Sequence, residues 1–466
     1  MYFLKSSIFV FIFNAINMKI IIAGAGEVGF HLAKLLSFES QNITLIDNKK
    51  CNLNIAENQL DIKTIEGNSA SISVLKEANV GQSDLVISLT TSETTNFTTC
   101  FLAKQLGAKR TVARITNSEF IENNKEIDFD SIGIDELISP ENLAAEEIKL
   151  LIDESAFTNS HDFEGGILKM MGVKLEQNAP FIGKTVMESA SVYPGVHFMP
   201  IAIKQEGSEK TIMPRGDTVF QLGDQVYFIT NERGLKELYN LLGRVKQNII
   251  NIMILGAGRI GSKLARDFSV EGLNIKIIEI DENKANHLAE ELSNVMILNV
   301  DGRNVDLLVE ENLENMDAFI ATTGNSETNI MSCLMAKSKN IKKTIALVDN
   351  MDYFKLSQSI GIDTLINKKL LAANDIFRFV RNGDIVELAK LNNMDAEIVE
   401  FIVNEHSNVL DKKIVDLNFP REAIIGGVIR GDEGLIVLGD FKIQLGDRVL
   451  VCSKPEALNK VESLFL

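Results

Sequence analysis

The stretch Gly24-Ala25-Gly26-Glu27-Val28-Gly29 decides the fold of this chain, and it returns as Gly256-Ala257-Gly258-Arg259-Ile260-Gly261. Each copy follows a short apolar run and opens an amphipathic helical stretch, which is the strand–turn–helix setting of a dinucleotide-binding loop. An acidic residue, Asp47 or Glu279, ends the next apolar run in each half. Glycines and acids are both repeated after 232 residues, which indicates a tandem duplication.

Short β-branched runs alternate with helical stretches from Met18 to about Ile138, and the same order repeats from about Asn251 to Ile366. Strands separated by helices predict right-handed crossovers and a parallel sheet covered by helices on both faces. Each α/β unit is followed by a long helix and a β-rich segment with Gly-Asp turns, as at 222–224 and 445–447. The predicted fold is therefore α/β, with two tandem Rossmann-like doubly wound sheets, each followed by a small α+β domain rich in strands.

Changes in these patterns give the expected domain boundaries. They are 1–17 for an N-terminal extension, 18–138 for the first Rossmann-like domain, 139–154 for a crossover helix, 155–245 for the first β-rich domain, 250–366 for the second Rossmann-like domain, 367–382 for its helix and 383–466 for the second β-rich domain. The apolar stripes of the two linking helices indicate packing, and a neighbouring domain is one candidate partner.

The extension 1–17 carries an apolar run at 8–13 that is too short to span a bilayer, which takes about 20 apolar residues. It also lacks an obvious small-residue cleavage site. We expect a misassigned start, with Met18 as the true first residue, over the alternative of a membrane tether.

Composition and charge exclude several classes of function. A chain of 466 residues predicts two to four domains, and its net charge of −17 argues against binding to nucleic acid or to an anionic bilayer. Any association with a membrane is therefore expected to run through a protein partner. The four cysteines and five histidines show neither C-x-x-C spacing nor a ligand cluster, which indicates a reducing cytosol and predicts no metal site.

Each glycine of the repeated loop has its own task in a dinucleotide-binding turn. Gly24 permits the tight turn, Gly26 lets the backbone approach a pyrophosphate, and Gly29 allows the helix to pack closely on the strand. The phosphates then lie at the helix N-terminus, where free N–H groups favour negative charge. The predicted cofactor-binding loops are Gly24, Ala25, Gly26, Glu27, Val28 and Gly29, and Gly256, Ala257, Gly258, Arg259, Ile260 and Gly261. The alternative is a turn that binds nothing, and it carries more weight for the second copy.

The acidic residues are placed to accept hydrogen bonds from the ribose hydroxyls of an adenosine. A carboxylate there repels a 2′-phosphate, so Asp47 and Glu279 favour NAD(H) over NADP(H). Lys49 and Lys50 weaken that preference slightly, and Asp281 is the alternative to Glu279.

Further candidates fall where other strands end, because ligands of open parallel sheets bind at that edge. They are Asn68, Ser69, Thr90 and Arg114 in the first half, and Asp301 and Thr323 in the second. Helix capping is the equal alternative for the hydroxyl and amide side chains. Arg114 could reach a phosphate or form a surface salt bridge, and its counterpart is Leu347, so the two pockets are expected to differ in charge.

No acid/base or nucleophile constellation accompanies either nucleotide fold, whereas a dehydrogenase needs one beside the nicotinamide. We therefore predict no catalytic residues and a role in ligand sensing, in which a ligand shifts a conformational equilibrium. A NAD-dependent oxidoreductase is the competing class.

The sequence resembles the TrkA family, the peripheral subunits of bacterial Trk potassium uptake systems. The resemblance covers Met18 to Leu466 and is carried by 18–29, 66–69, 278–281, 344–347 and 380–385. The extension 1–17 departs from the family, as does Asn299-Val300-Asp301-Gly302, where the family more often shows Gly-Asp-Gly.

The resemblance implies two RCK-type modules (regulators of potassium conductance) that bind NAD(H) and adenine nucleotides such as ATP and ADP. It implies a homo-oligomeric ring on the cytoplasmic face of an integral membrane potassium transporter of the TrkH or TrkG type. The glycines with Asp47 or Glu279 become the expected ligand contacts, and Arg114 a phosphate contact. The expected function is a regulatory subunit that gates potassium uptake; regulation of a channel or of an efflux antiporter remains open.

Overall fold

The computed structural model describes residues 18–37, 42–117, 119–122, 127–155, 157–191, 197–208, 210–243, 248–350, 353, 361–377, 385–391 and 394–465. The extension 1–17 and most of the motif at 380–385 lie outside the described residues. The chain divides into two compact units between Ser139 and Pro140, and each is described by itself. None of the described helices is both long enough and apolar enough to cross a membrane.

The first unit is built on one parallel sheet. Its strands are β1 (Lys19–Ala23), β2 (Asn42–Asp47), β3 (Lys63–Glu66), β4 (Leu85–Ser88), β5 (Arg110–Arg114) and β6 (Glu136–Ile138), and its helices are α1 (Glu27–Ser37), α2 (Lys50–Gln59), α3 (Ile72–Glu77), α4 (Glu93–Gln105) and α5 (Glu119–Glu122). The strand order is β3-β2-β1-β4-β5-β6. The order reverses direction beside β1, and such a switch point opens a crevice at the carboxyl ends of the strands.

The strands form at the short apolar runs of the sequence, and β1, β2, β4 and β5 are largely buried on both faces. Helix α1 starts at Glu27, inside the glycine loop. The backbone N–H of Phe30 already donates to the carbonyl of Gly26 at 2.8 Å, so the third glycine of the loop lies within the helix.

The second unit opens with helix α6 (Pro140–Asp153) and an antiparallel sheet. The strands of this sheet are β7 (Asn159–Phe163), β8 (Leu168–Lys174), β9 (Phe198–Lys204), β10 (Thr211–Ile212) and β11 (Gln225–Thr230), accompanied by α7 (Val186–Ala190) and α8 (Glu232–Leu241). Their order is β10-β9-β11-β8-β7. The predicted turn before β11 is confirmed: Gly223 has a φ of +83°, and the Asp224 carboxylate accepts from the backbone N–H of Gln221 at 2.9 Å.

A second parallel sheet follows and repeats the first. Its strands are β12 (Asn251–Leu255), β13 (Asn274–Ile278), β14 (Met296–Leu298), β15 (Ala318–Ala321), β16 (Lys343–Leu347) and β17 (Thr364–Ile366), with α9 (Arg259–Val270), α10 (Glu282–Glu291), α11 (Val305–Glu310), α12 (Ser326–Ser338) and α13 (Lys368–Phe377). The order β14-β13-β12-β15-β16-β17 is that of the first unit. The predicted duplication of a Rossmann-like fold is therefore confirmed.

Helix α6 packs on this second parallel sheet and its helix α9. Ile148, Leu151 and Ile152 are almost fully buried in one apolar cluster with Leu264 and Phe268 of α9. The expectation that a linking helix packs on a neighbouring domain holds for α6. Burying large aliphatic side chains stabilises such a contact by about 1.5–3 kcal/mol each.

A second antiparallel sheet completes the unit. It contains β18 (Ile385–Lys390), β19 (Glu397–Ile402), β20 (Ala423–Arg430), β21 (Glu433–Leu435) and β22 (Arg448–Ser453), and helix α14 (Pro455–Phe465) follows it. Its order, β18-β19-β22-β20-β21, is the connectivity of the first antiparallel sheet read from the other edge.

The two antiparallel sheets pack face to face through a shared apolar cluster. Ile201, Tyr227 and Ile229 of the first sheet meet Ile398 and Leu450 of the second. This packing joins the two small strand-rich domains into a single core.

Candidate functional site

The two glycine loops have the same backbone. The N–H of Gly24 donates to the carbonyl of Ile46 at 2.7 Å, and that of Gly256 to the carbonyl of Ile278 at 2.8 Å. The first glycine has a φ of +105° in one loop and +102° in the other, in the left-handed region that favours glycine. The turn at the first glycine is therefore the same in both loops.

The space around each glycine separates structural from ligand-facing positions. A Cβ built on Gly29 lies 1.9 Å from the carbonyl oxygen of Gly24, so only glycine lets the helix approach the strand. A Cβ on Gly26 meets nothing within 4 Å. Gly261 and Gly258 repeat the contrast, with 2.0 Å to Gly256 and 4.0 Å to the carbonyl of Thr322. The fold does not require glycine at the second position, whereas close approach of a diphosphate does.

Asp47 and Glu279 stand beside the loops, as predicted. One Asp47 oxygen accepts from the N–H of Ala25 at 2.7 Å and the other from the N–H of Lys49 at 2.7 Å. Glu279 accepts from the N–H of Ala257 at 2.7 Å and from that of Asp281 at 2.9 Å. These bonds fix the carboxylates at the ends of β2 and β13. The Asn52 side chain also donates to Oδ1 of Asp47 at 3.4 Å, so Oδ2 of Asp47 and both oxygens of Glu279 keep a further lone pair for a ribose hydroxyl.

Asp281, the alternative to Glu279, has a local structural task. Its side chain caps helix α10 by accepting from the N–H of Lys284 at 3.1 Å. Glu279 is therefore the acidic residue that corresponds to Asp47 in geometry as well as in spacing.

A buried asparagine fixes the end of β4 in the first site. The side-chain oxygen of Asn96 accepts from the Thr90 hydroxyl at 2.6 Å, and its amide donates to the carbonyls of Thr90 at 3.1 Å and of Arg114 at 2.8 Å. Asn329 repeats these bonds with Thr323 and Leu347. The hydroxyls of Thr90 and Thr323 therefore take part in hydrogen bonds that hold the strand ends together.

Two residues after each of these threonines, a polar side chain caps the following helix, as the capping alternative predicts. Ser92 caps α4 by accepting from the N–H of Thr95 at 3.2 Å, and Asn325 caps α12 by accepting from that of Thr328 at 2.6 Å.

A cavity of about 380 Å³ lies over the first loop, and one of about 490 Å³ lies over the second. The predicted residues that line them are Gly24, Gly26, Asp47, Asn68, Ser69 and Thr90 in the first, and Gly256, Gly258, Glu279, Asp301 and Thr323 in the second. The structure thus brings predicted residues from four separated stretches in each half to one edge of one sheet.

The other predicted residues lie beside the cavities. Val28, Gly29, Ile260 and Gly261 face the core, Ala25 and Ala257 offer their N–H groups to the acids, and Glu27 and Arg259 are exposed at the helix starts. Arg114 is not among the residues that line the first cavity, so its contact with a phosphate stays a prediction.

Several lining residues were not predicted from the sequence, among them Asn52 in the first cavity and Lys284 and Arg303 in the second. Asn52 and Lys284 occupy the same place in the repeat, 232 residues apart, in the first turn of the helix after the acid. Spacing from Asp47 and Glu279 would have found this pair.

Asp301 and Arg303 form a bidentate ion pair at the rim of the second cavity. The closest contact is 2.7 Å, and the pairing lowers the pKa of Asp301 to about 2. Asn68 and Ala70 stand at these places in the first half. The Asp301 carboxylate is therefore charged and already occupied by a neighbour.

Within the described parts of the chain, no cluster of three or more His, Cys, Asp or Glu side chains is placed to hold a metal ion. Cys100, Cys333 and Cys452 are buried, and burial raises the pKa of each thiol far above its usual range. These three thiols are packing groups rather than nucleophiles.

Comparisons with known proteins agree with this geometry. The TrkA-N domain model matches residues 20–140 and 252–368, and the TrkA-C domain model matches 170–243 and 398–466. The Trk system potassium uptake protein TrkA of Haemophilus influenzae is 32% identical over 454 residues, which covers 96% of this chain and 98% of that protein. TrkA homolog 2 of Methanosarcina mazei is 30% identical and covers 96% and 100%.

Among solved structures, the RCK domain of GsuK aligns with a TM-score of 0.60 at 16% identity, covering 97% of this chain and 96% of that one. The GsuK channel bound to NAD aligns with the same TM-score and covers 97% and 79%. These likenesses show the fold.

The chain has two Rossmann-like folds, each with a glycine loop and an acid at the next strand end, and each is followed by an antiparallel domain. This is the fold of a tandem RCK domain. The family models and the full-length relatives go further. The chain belongs to the TrkA family.

Proposed function

We propose that this chain is a cytoplasmic regulatory subunit of a Trk-type potassium uptake system. It binds NAD(H) and the adenine nucleotides ATP and ADP at the two glycine loops. As a homo-oligomeric ring at the inner face of the cell membrane, it gates an integral membrane transporter of the TrkH or TrkG type. The domain boundaries given above belong to this proposal.

The observation that carries the proposal is the duplicated, ligand-ready loop. Gly26 and Gly258 leave the approach to the helix N-terminus open, and Asp47 and Glu279 are held beside it. Helix N-termini favour phosphate because their N–H groups are unpaired. The names of the full-length relatives, which are potassium uptake proteins, support a role in potassium transport.

The proposed role is regulation rather than catalysis. The described lining of both cavities consists of glycines, short hydroxyl and amide side chains, aliphatic residues and a few charged groups. Among the described lining residues there is no histidine, which is the most frequent general acid or base in enzymes. A ligand that prefers one conformation then shifts the ring, with typical coupling of about 1–3 kcal/mol.

Calorimetric titration of NAD, NADH, ATP and ADP tests nucleotide binding and assigns it to a half. The variants are Gly26→Val and Gly258→Val, because a side chain there blocks the ligand without striking the fold. Each is expected to remove the heat of one site. An unchanged heat in both variants would contradict binding at the loops.

Growth of a deletion strain at limiting potassium tests the transport role. Slow growth that the wild-type gene restores, and that a Gly26→Val gene does not, is the expected result. Normal growth of the deletion strain would favour a channel or an efflux antiporter as partner.

The competing class is a NAD-dependent oxidoreductase. Incubating the pure protein with NADH and carbonyl substrates separates the two classes. Turnover that disappears in an Asp47→Asn variant would establish the enzyme.

A further inference from the structure

Helix α6 spans the second parallel sheet from one edge to the other. Its first turn holds Glu141, which pairs at 3.8 Å with Lys368, the first residue of α13, at the carboxyl ends of the strands. Beyond its last turn, the carbonyls of Ser155 and Phe157 accept from Nζ of Lys343 at 3.4 and 2.6 Å. Lys343 is the first residue of β16, so this contact lies at the amino ends of the strands, the edge opposite the second cavity.

Two routes connect the second cavity to α6, and the first runs through α9. This helix begins directly after Gly258, which lines the cavity. Leu264 and Phe268 of α9 share one buried apolar cluster with Ile148 and Leu151 of α6. Because side chains in a close-packed core cannot move independently, a shift of α9 is passed to α6.

The second route runs through polar contacts at the carboxyl ends of the strands. Asn325 lines the cavity, and the hydroxyl of the next residue, Ser326, accepts from the backbone N–H of Asp349 at 3.1 Å. The Asp349 carboxylate pairs with Lys368 at 3.3 Å, and Lys368 is also the partner of Glu141. Both routes therefore end on α6.

The far end of α6 enters the core of the first antiparallel domain, which contains β7 to β11 and α8. Phe157 is fully buried in that core and meets the ring of Tyr239 edge-on, with the ring centroids 5.3 Å apart. The Tyr239 hydroxyl donates to the Glu154 carboxylate at 2.9 Å. Lys343 thus holds the short segment that joins α6 to this domain.

The ammonium of Lys343 makes this contact all or none. Lys343 is 2% exposed, and a buried ammonium is costly unless its hydrogen bonds are made. Burial raises the pKa of the Glu147 carboxyl of α6, and the charge of Lys343 opposes that rise, so the ammonium acts on the helix as well. If 155–157 moved away from β16, the ammonium would lose its acceptors. Arg110, the first residue of the equivalent strand β5, is exposed.

We propose that the second nucleotide site controls the first antiparallel domain through α6, with Lys343 as the residue that holds helix and domain in the ligand-ready position. The inference rests on the proposed nucleotide binding at the second loop and adds the element through which that binding acts. Coupling between two sites is reciprocal, so breaking the contact at the far edge must weaken binding at the cavity. The ligand-ready fraction of the protein falls, and the apparent affinity falls with it.

The test measures the affinities for ATP and NAD by calorimetry in two single-site backgrounds. Gly26→Val leaves the second site, and Gly258→Val leaves the first. Lys343→Met removes the ammonium and keeps an unbranched side chain of similar length. It is expected to weaken nucleotide binding at the second site about fivefold or more, the lower end of typical coupling factors. The first site is expected to keep its affinity.

Two further variants separate this contact from a general effect of losing a lysine. Lys342→Met is the matched control, because Lys342 is exposed at the same edge and pairs with Asp317 at 2.6 Å. It should leave both affinities unchanged. Tyr239→Phe leaves the buried ammonium in place and removes the hydroxyl that bonds Glu154, and it is expected to weaken the second site in the same direction.

Hydrogen exchange supplies a readout that a loss of stability alone does not produce. Saturating the Gly26→Val protein with nucleotide is expected to slow exchange in β7. With Lys343→Met added, this nucleotide-dependent change is expected to disappear even when the site is saturated.

Two results would overturn the inference and leave nucleotide binding intact. One is an unchanged affinity of the second site in both Lys343→Met and Tyr239→Phe. The other is an equal loss at the first site, which would indicate a general loss of structure. Absence of heat from either nucleotide in the wild-type protein would instead refute the proposed function, and this inference with it.

Discussion

At Gly26 and Gly29, three residues apart in one loop, an added methyl group meets opposite surroundings. At Gly29 it lies 1.9 Å from a backbone oxygen, and at Gly26 it lies in open space. The glycine pattern therefore combines two requirements, a structural one and a ligand-facing one. The glycine motif predicts both tasks, and the structure shows the close approach of helix and strand that makes glycine necessary at position 29.

We predict that Gly29→Ala destabilises the protein, whereas Gly26→Ala leaves its stability unchanged. Overpacking of this kind costs about 1–3 kcal/mol, occasionally more, because the helix must move away from the strand. Urea unfolding of the first domain, followed by circular dichroism, measures the difference. Equal midpoints for the two variants would show that the loop relaxes around the added carbon.

The Asn96 side chain joins the ends of β4 and β5, and we predict that Asn96→Ala destabilises the protein. Asn96 is 1% exposed, so its loss leaves buried backbone groups unpaired at about 1–3 kcal/mol. Asn96→Asp is the matched variant, because it keeps the acceptor for Thr90 and loses the donor to the carbonyl of Arg114. In thermal unfolding, Asn96→Asp is expected to be no more stable than Asn96→Ala. An Asn96→Asp protein as stable as the wild type would show that only the acceptor oxygen of Asn96 contributes to stability.

At the scale of elements, the packing of the two antiparallel sheets depends on one pair of bulges. Residue 201 is skipped in the pairing of β9 with β11, and residue 426 in the equivalent pairing of β20 with β22. A Cβ on Gly426 would lie 2.9 Å from Ile201 and 2.8 Å from Ile229. The bulge of one sheet thus carries a large side chain, and that of the other carries none.

We predict that Gly426→Ile and Ile201→Gly each destabilise the second unit, the first by a clash and the second by a cavity. The double variant should recover part of the loss, since the large residue is moved to the other sheet. A double-mutant cycle from urea unfolding is expected to give a coupling energy of about 0.5–3 kcal/mol. Additive effects would mean that the two bulges do not share one space.

At the scale of the whole molecule, stability should depend on pH through Glu147 of helix α6. Burial raises the pKa of this carboxyl to about 7 from 4.5, against the opposing effects of His161, the Ser160 backbone and Lys343; Asp162 adds to the rise. Between pH 4.5 and pH 7, this carboxyl is therefore protonated in the folded protein and ionised in the unfolded chain. Stability contributed by this group is present below pH 4.5 and is lost as the pH rises through 7.

We predict that Glu147→Gln flattens the fall in stability between pH 5 and pH 8, which urea unfolding across that range measures. Glu290→Gln, at an exposed position of α10, is the control and should keep the wild-type slope. A wild-type slope in Glu147→Gln would show that this carboxyl is ionised in the folded protein at both pH values.

The sequence by itself determined the two parallel sheets, the glycine loops and the acids beside them. These features follow from local rules: strand and helix periodicity, turn chemistry at glycine, and a fixed path from one strand end to the next. The same rules predicted the Gly-Asp turns, since the side chain of Asp224 bonds a backbone group only three residues away.

Only the tertiary structure decided which residues share a space. Helix α6 packs on the second parallel sheet, and Asn96 and Asn329 join strand ends. Arg114 does not line the first cavity, and Ile201 lies opposite Gly426. Each of these depends on atoms that are far apart along the chain. Local pattern cannot fix such contacts, because close packing selects them only when the whole core is assembled.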